Sequence, residues 1–122
     1  MLTHRNLVAN GLQAASWFPR MREGREVILG AVPLFHAYGL LGVLLLGVSS
    51  AAEMILIPRP RPDAVLEALH RFRPTLFPGV PTLYAGIVDH PRVGHYDLRT
   101  GTQCLSGAAS LPPSLVERFE AL

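Results

Sequence analysis

Three short stretches of this 122-residue chain carry the residue types that binding chemistry uses. The first is His36, followed by Tyr38, in VILGAVPLFHAYGL. An imidazole can donate or accept near neutral pH and presents a flat ring, which suits it to orienting or gating a carboxylate. It can equally be a half-buried loop histidine hydrogen-bonded to a carbonyl. The second stretch is Ser106-Gly107-Ala108-Ala109. Residues with little or no side chain let a flat ligand approach the backbone closely, and a tight strand-to-helix turn also needs them for packing. The third is Gly79-Val80-Pro81-Thr82, where Pro81 suits the first helical position because no N–H is needed there. Alone, it is a helix start.

Other chemistries lack their residues. No G-x-G-x-x-G, G-x-x-x-x-G-K-[ST] or G-x-S-x-G occurs. The five histidines form no i, i+4 pair and have no cysteine partner at zinc spacing, so no metal site is expected. The single cysteine, Cys104, excludes an internal disulfide and reads as a small buried strand residue. All eleven cations are arginines, scattered without interleaved aromatics, so a nucleic-acid surface is not expected.

Those stretches must be positioned by regular elements. Half the residues are apolar (49%) and only 16% are charged, which describes a heavily buried single domain. Thr3 is placed to cap a helix running to about Trp17, with Leu7, Val8, Leu12 and Ala15 on its apolar face. Pro19–Gly24 is a polar turn. Val27–Val32 reads as a buried strand, followed by the His36 loop and a helix from about Tyr38 to Ser49. The uncharged run Val27–Ala52 is long enough to raise a membrane span, but Pro33 and His36 interrupt it, and a buried strand and helix are expected instead. No signal peptide is expected from MLTHRN, which lacks an apolar core behind a basic start.

Glu53–Pro58 reads as a strand. PRPRPD leads to a helix capped by Asp63, with Val65, Leu66, Leu69 and Phe72 on one face and Arg71 and Arg73 in its last turn. Thr75–Phe77 is a short strand closed by Pro78-Gly79, and a helix follows from Pro81 to about His90. Residues 91–99 form a loop, Gln103–Leu105 a last strand, and Pro112-Pro113 start a helix burying Leu115, Phe119 and Leu122. The fold class is therefore α/β: alternating βα units, a mostly parallel sheet, and helices on its faces. In such a sheet ligands sit at the strands' carboxyl ends, where all three stretches fall. Both ends look cut, as in a piece of a larger domain.

MLTHRN, VPLFHAYG, RPTLFPGVPTLY and LSGAASLP, in this order and spacing, resemble the adenylate-forming acyl-CoA synthetases. The likeness is strongest to bacterial long-chain fatty-acid–CoA ligases and extends to coumarate–CoA ligases and luciferases. It covers essentially the whole chain, as a partial AMP-binding domain over residues 1–122, truncated at both ends. It implies a ligase that activates a fatty acid or other carboxylate with ATP and Mg2+ to an acyl-adenylate, which the thiol of coenzyme A then attacks. It also implies that His36 and Tyr38 bind or gate substrate and that Gly79, Val80, Pro81 and Thr82 lie beside the acyl pocket. Ser106, Gly107, Ala108 and Ala109 would pack against adenine and the acyl group. Ser110 stands where many members have proline.

By the same resemblance, the phosphate loop, the Gly-Tyr-Gly-Thr-Glu-like motif and the lysine-bearing small domain lie outside these residues. No catalytic residue is expected within the piece, no cofactor bound strongly by it alone, and no activity from it in isolation. A cytoplasmic location, or one peripheral to the membrane, is expected without a transmembrane segment, as is self-association through exposed sheet edges. A non-catalytic α/β module binding acyl or adenylate groups, and a small membrane-associated protein, are the alternatives.

Overall fold

The computed structural model describes residues 2–122. Four parallel strands form one sheet in the order β2-β1-β3-β4: β1 Val27–Gly30, β2 Glu53–Leu56, β3 Leu76–Gly79 and β4 Gln103–Ser106. The helices are α1 (His4–Ser16), α2 (residues 37–49), α3 (Pro62–Phe72), α4 (Pro81–Val88) and α5 (Pro113–Glu120). The expected parallel α/β architecture is what the chain adopts.

Side-chain alternation along β1 and β3 divides the core in two. Leu29 and Phe77 face α3, α4 and α5, packing with Val65, Leu66, Leu69, Leu83, Tyr84, Ile87 and Leu115. Ile28 and Leu76 face the other way, against Val43 and Leu46 of α2, with Ala14 and Ala15 of α1 behind them. Each fully buried side chain of this kind stabilises by about 1.5–3 kcal/mol relative to exposure.

Local chemistry fixes most boundaries. Thr3 caps α1 as expected, in a capping box with Asn6: each residue's side chain accepts from the other's backbone N–H. The turn before β1 is closed by buried Glu26, whose carboxylate accepts from the Arg22 N–H at 2.7 Å. α2 begins as α-helix (Ala37–Gly39), passes through a π segment (Leu40–Leu45) and ends as α-helix (Leu46–Ser49).

Several expectations are corrected. Val8 and Leu12 are exposed on α1, because α1 docks through its small residues; a methyl on Gly11 would already touch Leu45 of α2 at 3.6 Å. β1 leaves the ladder at Gly30, opposite Leu56, two residues early. β2 likewise ends at Leu56, short of Pro58. Asp63 does not cap α3. Pro62 takes the first turn, and Asp63 instead meets His90 Nε2 at 2.9 Å and Arg92 at 2.7 Å. Arg73 is the C-cap of α3, in the left-handed region (φ 46°), and pairs with Asp97 at 2.6 Å. Phe72 is turned outward beneath the Arg71 guanidinium. α4 stops at Val88, two residues before His90, and Val93–His95 forms a 3-10 turn inside the expected loop. Cys104 is exposed, since β4 is an edge strand among the described residues.

β3 starts one residue later than expected, at Leu76, and runs two residues further, taking in Pro78 although proline is rare in an interior strand. The register explains it. Thr75 and Gly79 carbonyls accept from Gln103 and Gly107 on the β4 side, so by the two-residue alternation the Pro78 nitrogen faces β1. There the ladder registers only through Ile28↔Leu76, and the missing N–H falls beyond it.

Candidate functional site

Because the strands are parallel, the exits of β1, β3 and β4 lie on one sheet edge, and the three candidate stretches are those exits. His36 takes an extended conformation (φ −88°, ψ 144°) as the N-cap of α2, and its Nδ1 accepts from the Tyr38 N–H at 3.2 Å. Histidine is thus used here as asparagine or serine would be at a helix start. The ring is exposed rather than half-buried. With Nδ1 accepting, the neutral imidazole carries its proton on Nε2, a donor left for solvent or ligand. Phe35 beside it is 94% exposed.

Two residues on, Tyr38 turns inward. Its hydroxyl donates to the Leu105 carbonyl at 2.6 Å, one residue before the Ser106–Ala109 turn. The Gly79 backbone N–H also approaches this oxygen. Burial pushes the phenol up to about 12, and the Gly79 N–H opposes that rise. The hydroxyl bond therefore ties the exit of β1 to that of β4, across the end of β3. The Tyr38 ring also occupies the space a side chain at Gly107 would need: a methyl there would lie 3.0–3.2 Å from ring carbons. Glycine at 107 serves this close approach.

At β3, Gly79 is pressed in the same way against Tyr84, whose ring would lie 2.8–2.9 Å from an added methyl. Val80 caps α4 with its backbone alone, and Pro81 occupies the first turn as expected. Thr82 is exposed. Val80 and Thr82 border a hollow of about 280 Å³ together with Ala31, Val32 and Pro33, so the exits of β1 and β3 share a wall.

The Ser106–Ala109 turn divides. Ser106 lines a second cavity of about 380 Å³, bounded by Tyr84, Thr102, Cys104, Leu115 and Phe119 on the α5 side of β4. Its Oγ is buried with no partner. Ala108 adopts a left-handed conformation (φ 69°), unusual for a residue other than glycine, and Ala109 and Ser110 are exposed beyond it. The structure thus brings Tyr38, Gly79 and Gly107 together, and Val80 and Thr82 with the segment leading to His36. His36, Ala108 and Ala109 face outward, and Ser106 points into a different cavity.

Sequence reasoning singled out no role for Tyr84. Its hydroxyl lies 2.7 Å from the Phe77 carbonyl and 3.1 Å from the Leu105 carbonyl, sharing one proton between adjacent strands. The signal was available in principle, because a buried tyrosine hydroxyl must find a partner. No three metal-ligating side chains cluster among the described residues. Among the described residues, no helix is long and apolar enough to cross a membrane.

Comparison with known proteins gives the arrangement its context. The profile of the AMP-binding enzyme family matches residues 1–122. The chain is 45% identical over 120 residues to a long-chain-fatty-acid–CoA ligase of Bacillus subtilis, covering 98% of this chain and 21% of that protein. It is 40% identical over 105 residues to a benzoate–CoA ligase of Thauera aromatica, covering 83% of this chain and 19% of that one. The chain therefore spans about a fifth of the length of these curated relatives. ATP-bound MatB from Rhodopseudomonas palustris superposes with a TM-score of 0.81 at 28% identity, over 99% of this chain and 23% of that structure. A benzoate CoA ligase from Burkholderia xenovorans does so with a TM-score of 0.75 at 32% identity, over 93% and 24%. Agreement in profile, sequence and strand topology over essentially every residue leaves one conclusion: this chain belongs to the AMP-binding enzyme family, the adenylate-forming group that includes the acyl- and aryl-CoA ligases.

Proposed function

We propose that this chain supplies the acyl-pocket and adenine-side walls of an AMP-forming fatty-acid–CoA ligase. In that reaction a carboxylate attacks the α-phosphorus of ATP, releasing pyrophosphate and leaving an acyl-adenylate. The coenzyme A thiolate then attacks the acyl carbonyl and AMP departs. The observation that carries the reading is the Tyr38–Leu105 bond, which ties the exits of β1 and β4 together at the edge where β3 also ends. His36 presents its Nε2–H outward from the first exit, where it would orient a carboxylate and gate its entry. The Val80–Thr82 wall would border the acyl group. The backbone of Gly107 and Ala108 would face the flat adenine, while the unpartnered Ser106 Oγ is directed into the separate cavity on the α5 side.

The chain contains no lysine, and none of its eleven arginines lies in the three candidate stretches or lines the hollow at the β1 and β3 exits. Stabilising the charge that develops on the phosphates needs placed cations. We therefore assign the phosphate clamp and the magnesium ligands to residues outside these 122, and expect the chain alone to be inactive. The test pairs two measurements on the purified chain. Titration with AMP or a non-hydrolysable acyl-adenylate analogue should show only weak saturable binding, and ATP–pyrophosphate exchange with fatty acids should be absent. Exchange above background would overturn the assignment of the clamp elsewhere. Absence of any adenylate binding would remove the adenine-wall role.

A further inference from the structure

We propose that Tyr38 and Tyr84 are a pair of positioning residues, one from each face of the sheet, whose hydroxyls hold the Leu105 carbonyl and thereby set the Ser106–Ala109 turn. Tyr38 belongs to the layer of α1 and α2, and Tyr84 to the layer of α3, α4 and α5. Their hydroxyl oxygens reach the same carbonyl, at 2.6 Å and 3.1 Å, from opposite sides. Of that oxygen's two lone pairs, the β3–β4 register gives one to the backbone and Tyr38 takes the other. Tyr84 shares its proton between this carbonyl and the nearer Phe77 carbonyl at 2.7 Å and so ties β4 to β3.

The turn that follows needs such support. β4 is an edge strand among the described residues, so only β3 holds it laterally. Ala108 sits at φ 69°, a left-handed conformation strained for alanine that persists only where neighbours over-determine it. Gly107 is set by two contacts: its N–H donates to the Gly79 carbonyl at 3.1 Å, and its Cα lies against the Tyr38 ring. Each tyrosine thus acts twice, its ring packing a glycine and its hydroxyl fixing the strand end. Tyr84 presses Gly79, the acceptor for Gly107, so the two supports converge on one hydrogen bond. The turn's shape is built in before any ligand arrives.

Tyrosine-to-phenylalanine substitutions separate hydroxyl from ring. In Tyr38→Phe and Tyr84→Phe chains, amide exchange of Gly107 measured by NMR should accelerate about five-fold for each, from the loss of one hydrogen bond, and further in the double variant. The Ile57 amide, bonded to the Gly30 carbonyl at 3.0 Å on the far side of the sheet, is the internal control and should not change. Equal acceleration at Gly107 and Ile57 would mean general loosening and would overturn the proposal, as would an unchanged Gly107 in both variants. Should Tyr84→Phe fail to fold, the half-buried Tyr38 decides the matter alone. The ligand side of the inference rests on the proposed ligase role. There, affinity for an acyl-adenylate analogue should fall by a similar factor. If the unsubstituted chain binds no adenylate, the adenine-wall role fails while Gly107 exchange still judges the tyrosines.

Discussion

Gly39 and Gly42 lie one helical turn apart in α2, and alanine at the two sites should have opposite effects. Gly39 has helical dihedrals (φ −70°, ψ −37°), so alanine would gain about 0.8–1 kcal/mol of helix propensity there. Its methyl, however, would sit 2.1 Å from the Pro33 carbonyl oxygen and 2.7 Å from the Pro33 carbonyl carbon. Both are backbone atoms and cannot rotate away. Restoring an ordinary separation of about 3.5 Å means parting the helix start from residues 33–34 by roughly 1.4 Å. That movement breaks the Leu40 N–H bond to the His36 carbonyl (2.8 Å) or the His36 N–H bond to the Pro33 carbonyl (3.2 Å). Overpacking costs about 1–3 kcal/mol and the lost bond about 1 kcal/mol, leaving Gly39→Ala about 2 kcal/mol less stable. At Gly42 the added methyl would meet Tyr38 Cε2 at 3.6 Å and Pro78 side-chain carbons at 3.7–3.8 Å, all ordinary contacts. Gly42→Ala should therefore be about 0.5–1 kcal/mol more stable. In urea melts with a slope of about 2 kcal/mol/M, the first midpoint should fall by about 1 M and the second rise by about 0.3–0.5 M. A Gly39→Ala midpoint at or above that of the unsubstituted chain would refute the reasoning.

Alkaline pH should loosen the same edge. The Tyr38 phenol is raised by burial from 10.0 to about 12, and Tyr84 is raised as well, chiefly by burial. Both hydroxyls donate only when protonated. A raised folded-state pKa contributes stability below pH about 10, lost as pH climbs through about 12; tyrosinate absorbance and far-UV circular dichroism followed together should show titration and unfolding coupled in that window. On the α5 side, Leu115→Ala should cost about 2–4 kcal/mol because Leu115 is only 8% exposed, within the core of that face. Arg118→Ala, which removes a solvent-exposed pair with Asp89, should cost under about 1 kcal/mol. Chemical denaturation of the two variants reads both, and a larger loss for Arg118 would reverse the assignment.

The layout of the fold was legible because each strand is a short apolar run ended by proline or glycine and each helix carries its own start signal, as Thr3 and Pro81 do. Register-dependent features were not. Nothing local marks Val8 and Leu12 as outward-facing, since that depends on α1 meeting α2 through Gly11. Asp63 looked like a cap because the sequence does not reveal that His90 and Arg92 return to it. The three strand exits were legible as a set, since parallel pairing fixes them on one edge. The burial and partners of their side chains were not, and Tyr84 stayed hidden because its partner carbonyls are distant in sequence. His36 was singled out for its ring, whereas its capping bond to Tyr38 depends on where α2 begins.

The proline inside β3 gives the sheet a spine and an opening. β1 and β3 are bound at their amino ends, where the Thr75 N–H meets the Val27 carbonyl at 2.8 Å and the Val27 N–H meets Thr75 Oγ1 at 3.0 Å. Toward their carboxyl ends only Ile28↔Leu76 registers, and Pro78 offers no further donor. The two halves of the sheet are therefore joined like pages held along one margin. The pair β2–β1 carries His36 on one leaf, and β3–β4 carries Gly79 and Gly107 on the other. The free margin is the edge where the candidate site lies, and the Tyr38 hydroxyl reaches across it as a clasp.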